Sequence, residues 1–224
     1  MVPIRCEALD REFRVLSRLG AMKRAASIDN RMALFQNAWL ERLTVVSAFW
    51  FLATWAVLLP LIALAGWGAV EPLQGLGLIA AGLLVWSLFE YAMHRYLFHW
   101  TGRFAPLRAV TFLIHGSHHA QPNDRLRNLM PPVVSIPVGL CIWGIFALLL
   151  GDAGTWLFLG FMIGYVIYDL THFACHQLPM RGRLARAIKR HHMRHHHIDS
   201  DANFAVTLIV WDRLFGSRVR SLKR

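Results

Sequence analysis

Four apolar stretches, at residues 43–70, 72–89, 132–151 and 154–168, restrict this chain to a membrane-embedded helical fold. A helix crosses the hydrocarbon core of a bilayer in roughly 20 apolar residues. The first and third stretches reach that length unaided. The second and fourth reach it if their helices run on into the histidine-containing segments that follow. With 56% hydrophobic residues and a mean hydropathy of +0.40, the composition is also too apolar for an ordinary soluble domain.

Charge placement tests this independently, because lysine and arginine collect in the loops that stay in the cytoplasm. Of 24 such residues, eight precede the first stretch, five lie between Arg95 and Arg127, and eleven fall from Arg181 onward. None is left for the opposite side, where the connections hold only Glu71 and Asp152. The expected topology has four transmembrane helices, two short external turns and both termini in the cytoplasm. All twelve histidines then lie at or beyond the cytoplasmic ends of spans two and four.

The expected architecture is an all-α, multi-pass membrane protein whose four spans carry a cytosolic helical cap. Residues 1–42 form a basic cytoplasmic segment, and residues 43–224 a single integral-membrane domain. The run REFRVLSRLGAMKRAAS at residues 11–27 suits either an amphipathic helix on the membrane surface or a solvated tail. Glu7, Asp10 and Glu12 argue against a mitochondrial presequence, and no early apolar region resembles a cleaved signal peptide. The net charge of +11 raises the question of nucleic acid. Orientation in the membrane and attraction to anionic headgroups account for it without such a partner, so none is expected. Cys6, Cys141 and Cys175 are single and far apart, which indicates neither a disulfide framework nor a thiolate zinc site.

The histidines carry the chemistry. HRYLFH supplies His94 and His99, HGSHH supplies His115, His118 and His119, HFACH supplies His172 and His176, and HMRHH supplies His192, His195 and His196. Residues three or four apart share a helix face. His172 and His176 can therefore address one metal, and each H-x-x-H-H block puts three rings on a common face. His94 and His99 are five apart, which turns the second ring away in a regular helix. Either the helix ends near His99 or the two rings serve different positions. Ten clustered imidazoles repel when protonated and compete for donors when neutral; metal coordination resolves both problems. A structural zinc needs about four ligands, so ten nitrogens fit two ions with about five each. All-nitrogen ligation suits redox chemistry with dioxygen, which favours iron, although zinc competes for such a site in a purified sample.

With these motifs in view, the chain resembles the fatty acid hydroxylase and sterol desaturase superfamily, and most of all its fatty acid 2-hydroxylase branch. The residues that carry the resemblance are YAMHRYLFH at 91–99, HGSHHAQPNDRLRNLMPP at 115–132, YDLTHFACHQLP at 168–179, HMRHH at 192–196 and FAVTLIVWDRLFG at 204–216. The resemblance implies two iron ions under the cap, held by the ten histidines named above. It also implies a catalytic pair, Tyr168 and Asp169, beside the metals; an alternative role for Asp169 is to orient a ligating histidine. His191 and His197 fall outside the pattern and are expected on the cap surface. Ala205 stands where the family usually has glycine.

The implied activity is O2-dependent hydroxylation of a membrane lipid, most simply at C2 of a fatty acyl group, because the head group would sit under the cap beside the metals. Eukaryotic 2-hydroxylases usually carry a fused cytochrome b5-like domain, and the segment before the first span does not resemble one. A separate electron donor such as cytochrome b5 or ferredoxin with its reductase is expected. A carotenoid or sterol oxidation by the same centre is the neighbouring reading. A membrane metal transporter is more remote, since it would place ionisable residues within its spans, and the cores of spans one and three are bare of charge.

Overall fold

The structure, a computed structural model, describes residues 31–219. The chain divides into two compact units between Thr44 and Val45. In the first, helix α1 (Ala38–Leu43) is capped by Asn37, whose side chain accepts from the backbone N–H of Trp39 and Leu40. Glu41 accepts from the N–H groups of Leu34 and Phe35, each at 2.9 Å, and so ties the preceding strand of backbone to the helix. The surface helix considered for residues 11–27 lies outside the described residues.

Every regular element among the described residues of the second unit is a helix. Helix α2 (Ala48–Ala65) follows Ser47, whose hydroxyl accepts from Trp50 N. Helix α3 (Pro72–Ala92) begins on a proline, which is at home in a first helical turn, and passes directly into a π-helical segment, Met93–Phe98. Then come α4 (Ala105–Thr111), a second π-helical segment (Phe112–Gly116) and α5 (Ser117–Ala120). Helices α6 (Pro132–Leu150) and α7 (Ala153–Gln177) complete the long elements, followed by α8 (Arg183–His197) and α9 (Val210–Leu214). Four helices are long and apolar enough to cross a membrane: Ala48–Ala65, Pro72–Phe98, Pro132–Leu150 and Ala153–Gln177. The second and fourth do run on into the histidine segments.

Helix α7 is the one the others surround. Its apolar window is 61% buried, against 17%, 28% and 11% for α2, α3 and α6. The outer helices instead turn large apolar side chains outward, among them Leu61, Leu64, Leu140, Leu148 and Leu149. A continuous apolar exterior of this kind belongs against lipid. The packing of α3 on α7 depends on glycine. A Cβ on Gly82 would sit 2.2 Å from Leu157 O, and one on Gly160 would sit 2.1 Å from Ile79 O. Small residues allow such backbone approach where no hydrophobic force draws membrane helices together. Beyond the glycines, Trp86 packs edge-on against Phe161 and Tyr165, with ring centroids 4.9 and 5.3 Å apart.

This contact yields a prediction. Gly160→Leu should destabilise the bundle by about 3 kcal/mol, the upper end for overpacking, because the obstacle is backbone. Gly77→Leu, where a Cβ meets nothing within 4 Å, should be near neutral. Thermal melting in detergent compares them, and equal midpoints would contradict the glycine contact.

Candidate metal centre

The long connections of the second unit all lie at one end of the bundle, and so do the histidines. The five-residue spacing of His94 and His99 is accommodated by the π-helical segment. His99 N–H closes on His94 O at 3.3 Å, and the two rings face each other with centroids 5.1 Å apart. A regular α-helix would rotate them roughly 140° apart over five residues. Of the two arrangements open in sequence, the first holds: the helix ends at Phe98 with His99 as its C-cap. Its widened last turns bring both rings into one cluster. Single π turns are rare and concentrate at functional sites.

Ten histidines form two groups of five. His94, His99, His115, His119 and His195 make one; His118, His172, His176, His192 and His196 make the other. Within each group the five candidate ligand nitrogens lie within 4.8 Å of one another. Each H-x-x-H-H block is divided between the groups. The outer pair, His115 with His119 or His192 with His196, stays together, and the third ring, His118 or His195, crosses to the other group. The groups adjoin where His119 stacks on His196, with centroids 4.2 Å apart.

The geometry of the nitrogens fits metal ions. In the first group the Nε2 atoms are separated by 3.0 Å (His94 to His115), 3.2 Å (His115 to His99), 2.9 Å (His115 to His119) and 3.1 Å (His195 to His119 and to His99). In the second the separations are 2.9 Å (His172 to His118), 3.0 Å (His118 to His196), 3.1 Å (His196 to His192) and 2.8 Å (His192 to His176). Nitrogens ~2.1 Å from a common ion stand about 3.0 Å apart at right angles and about 3.4 Å apart at the tetrahedral angle. These edges suit five- or six-coordinate ions rather than closed tetrahedral ones.

Proton bookkeeping leads the same way. The Nδ1 atoms of His94, His172 and His195 face the carbonyls of Phe204, Asn128 and Ala202. A neutral ring that donates there has a bare lone pair at Nε2, aimed into the cluster. Protonation does not relieve this. Burial, followed by repulsion from His99, pushes His195 down to about 4, and burial alone pushes His99 down to about 4. Burial and neighbouring rings also lower His115, His118, His119, His192 and His196. His192 Nδ1 stands apart, buried with no partner among the described residues.

The sign of the resulting pH dependence follows. In the folded, metal-free chain His99 and His195 protonate only near pH 4, whereas in the unfolded chain they protonate near 6.5. The unfolded state therefore binds more protons between those values, and stability should fall as pH drops from about 6.5 to about 4 and stay flat above. Melting of the metal-free protein at pH 5 and pH 7.5 checks this; equal midpoints would contradict it.

Around the rings lies a layer of carboxylates and amides, most of it invisible in the histidine motifs. Asp212 is fully buried. Its Oδ1 accepts from Phe204 N at 2.9 Å and Ser217 Oγ at 2.7 Å, and its Oδ2 from Ala205 N at 2.8 Å and His191 Nε2 at 2.9 Å. It thus fixes the loop whose carbonyls receive His94 and His195. Glu90 Oε1 extends the hold, accepting from Val206 N, Thr207 N and Thr207 Oγ1. A carboxylate within an apolar span is itself a signal of function or fixed pairing, and Glu90 was legible on that ground. Asn203 takes a positive φ of 58° in this loop and donates from its amide to His191 O. Ala205 is fully buried with a negative φ, so its backbone makes no demand for glycine.

His191 corrects an expectation. It is not on the cap surface but buried against Asp212, because its face of α8 turns toward the C-terminal segment; His197 is exposed, as expected. Asp169 is also buried. It accepts from Met130 N at 2.9 Å, which holds the stretch whose Asn128 carbonyl receives His172. Tyr168 lies parallel to the His172 ring, with an interplanar angle of 3° and centroids 6.1 Å apart.

Comparison with known proteins agrees with this site. A family model described as fatty acid hydroxylase matches residues 79–217. Dihydroceramide fatty acyl 2-hydroxylase FAH2 of Arabidopsis thaliana is 34% identical over 67% of this chain and 63% of its own length. Fatty acid 2-hydroxylase of Macaca fascicularis is 36% identical over 62% of this chain and 38% of its own. The chain therefore spans less than two thirds of these relatives. A solved structure of full-length scs7p, in which only the hydroxylase domain is visible, superposes with a TM-score of 0.76 at 30% identity, covering 83% of this chain and 71% of that one. The matched segment takes in more than half of the chain and all ten clustered histidines, and the chain belongs to the fatty acid hydroxylase family.

Proposed function

We propose that this chain is a membrane-bound di-iron monooxygenase that hydroxylates a lipid acyl chain, at C2 of a fatty acid or of a sphingolipid N-acyl group. The observation that carries this reading is the pair of five-histidine clusters at the end of the bundle where α3 and α7 terminate. His94, His99, His115, His119 and His195 would hold one ion, and His118, His172, His176, His192 and His196 the other. Iron, when bound, supplies the activation of dioxygen that amino-acid side chains cannot perform.

The protein's own part is positioning and the exclusion of water. Burial keeps the rings neutral and available as ligands, and the Ala202, Phe204 and Asn128 carbonyls orient three of them. Asp169 acts as a positioning residue through Met130 and Asn128. Tyr168, half-buried beside His172, sits where the span meets the centre and is proposed to border the reacting carbon. The acyl chain would stay among the apolar helices with its head under α8, which brings the carbon next to the head closest to the metals. Electrons would come from a separate donor of the cytochrome b5 or ferredoxin type, and the basic loops at that end of the bundle support a cytoplasmic orientation of the centre.

Lipid extracts from a host with and without the gene, analysed by mass spectrometry alongside metal content, test this. The expected product is a 2-hydroxy acyl lipid that disappears in His195→Ala. A hydroxylated carotenoid or sterol in its place would overturn the acyl assignment.

A further inference from the structure

A second site lies on the side of α8 turned away from the metal centre. Arg190 and Arg194, four residues apart on that helix, line a cleft of about 290 Å³ together with His191, Ile209, Arg213 and Arg218. Like charges at this spacing destabilise a helix. None of the four guanidinium groups has an ion pair or hydrogen bond among the described residues. Asp212, which meets the cleft residue His191, is already engaged by four donors and is fully buried. The cleft therefore concentrates positive charge that no ion pair among the described residues offsets.

Its height in the bundle is given by three contacts. Trp211 Nε1 donates to Ser87 Oγ at 3.2 Å, Phe215 stacks on Tyr91 at 5.1 Å, and Tyr91 and Ser217 share a hydrogen bond of 2.8 Å. Ser87 and Tyr91 belong to the last turns of the span Pro72–Phe98. The arginines thus stand where that helix leaves the hydrocarbon. The same segment exposes Leu208, Val210, Leu214 and Phe215. Cationic side chains above an exposed apolar rim match the two ends of a lipid.

We propose that Arg190, Arg194, Arg213 and Arg218 bind the phosphate of an anionic membrane lipid, with Leu214 and Phe215 against its acyl chains. Guanidinium groups pair with phosphate oxygens in a bidentate fork, and juxtamembrane basic residues draw anionic headgroups. A concave cleft of this size admits a headgroup, whereas a protein partner needs on the order of 800 Å² of surface. The site stands apart from the metal centre and does not depend on the reaction carried out there.

The test uses the full chain in detergent, with bound lipid read by native mass spectrometry and metal content as a check on folding. Wild type should retain dioleoyl phosphatidylglycerol at much lower concentration than dioleoyl phosphatidylcholine. R194Q/R213Q should raise the concentration required by about tenfold or more. If that double variant loses its metal, the exposed single changes R190Q and R218Q serve instead, each with a smaller shift in the same direction. An unchanged preference in the variants would overturn the assignment. So would displacement of the lipid by inorganic phosphate at equal concentration, which would make the ligand a soluble phosphate. Loss of binding to an acidic electron-transfer protein such as cytochrome b5, with lipid retention intact, would also overturn it and make the cleft a protein-docking face.

Discussion

Alanine at His118 and alanine at His119 should remove different metal ions, although the two residues are neighbours in the chain. His118 Nε2 lies with His172 and His196, at 2.9 and 3.0 Å, whereas His119 Nε2 lies with His115 and His195, at 2.9 and 3.1 Å. Each variant keeps one complete group of five rings. The expected result is a fall from two ions per chain to about one in both variants, with four bare imidazoles left to shift the spectroscopic signature of a different site in each case. The proposed hydroxylation should fall by more than the roughly 10- to 100-fold that follows loss of an outer-layer partner. Metal analysis with cobalt substitution resolves the two sites by their absorption. Loss of the same ion from both variants, or retention of both ions in either, would refute the division.

Asp212→Asn should have the second-largest effect, without touching a candidate ligand. The carboxylate accepts four hydrogen bonds, two of them from backbone N–H groups on opposite oxygens. An amide of the same shape has only one oxygen, so an NH2 group must face a buried donor whichever way it turns. Removing one partner from a buried paired network costs about 3 kcal/mol or more. The Phe204 and Ala202 carbonyls that receive His94 and His195 lie in the loop that Asp212 holds. Metal affinity should therefore drop roughly 10- to 100-fold in the His94 group. The His172 group, oriented through Asn128, should keep its ion. Chelator titration followed by metal analysis separates the two. Equal loss from both groups would mean that the variant only weakens the fold.

Much of this architecture is legible in the residues themselves. The spans show because a bilayer demands long apolar runs, and the shared end of the histidines shows because spans two and four both end in them. Two clusters of five show less well. Spacing of three and four identifies a face but not which of two adjacent clusters each ring on that face will join, and so His118 and His195 go to the group opposite their block partners. The pairing of His94 with His99 depends on a π turn, a backbone choice that five-residue spacing permits without requiring.

The outer layer is less legible again. His191 looks like a spare member of a histidine run. Its burial follows from the return of residues 202–217 across α8, which brings Asp212 to it over 21 positions of sequence. Asn128 and Asp169 become parts of the site through contacts spanning 44 and 39 positions. The arginine cleft likewise joins α8 to the C-terminal segment.

By itself, then, the sequence determined the class of protein, the four candidate spans and the candidate donor residues, because length, hydropathy and helical period act locally along the chain. Tertiary structure alone decided which five rings come together in each cluster and which carbonyls orient them. It also decided that His191 is a buried partner rather than a surface bystander. Those outcomes depend on where separate helices meet, and that is settled by close packing through Gly82 and Gly160 and by buried carboxylates that must find their donors.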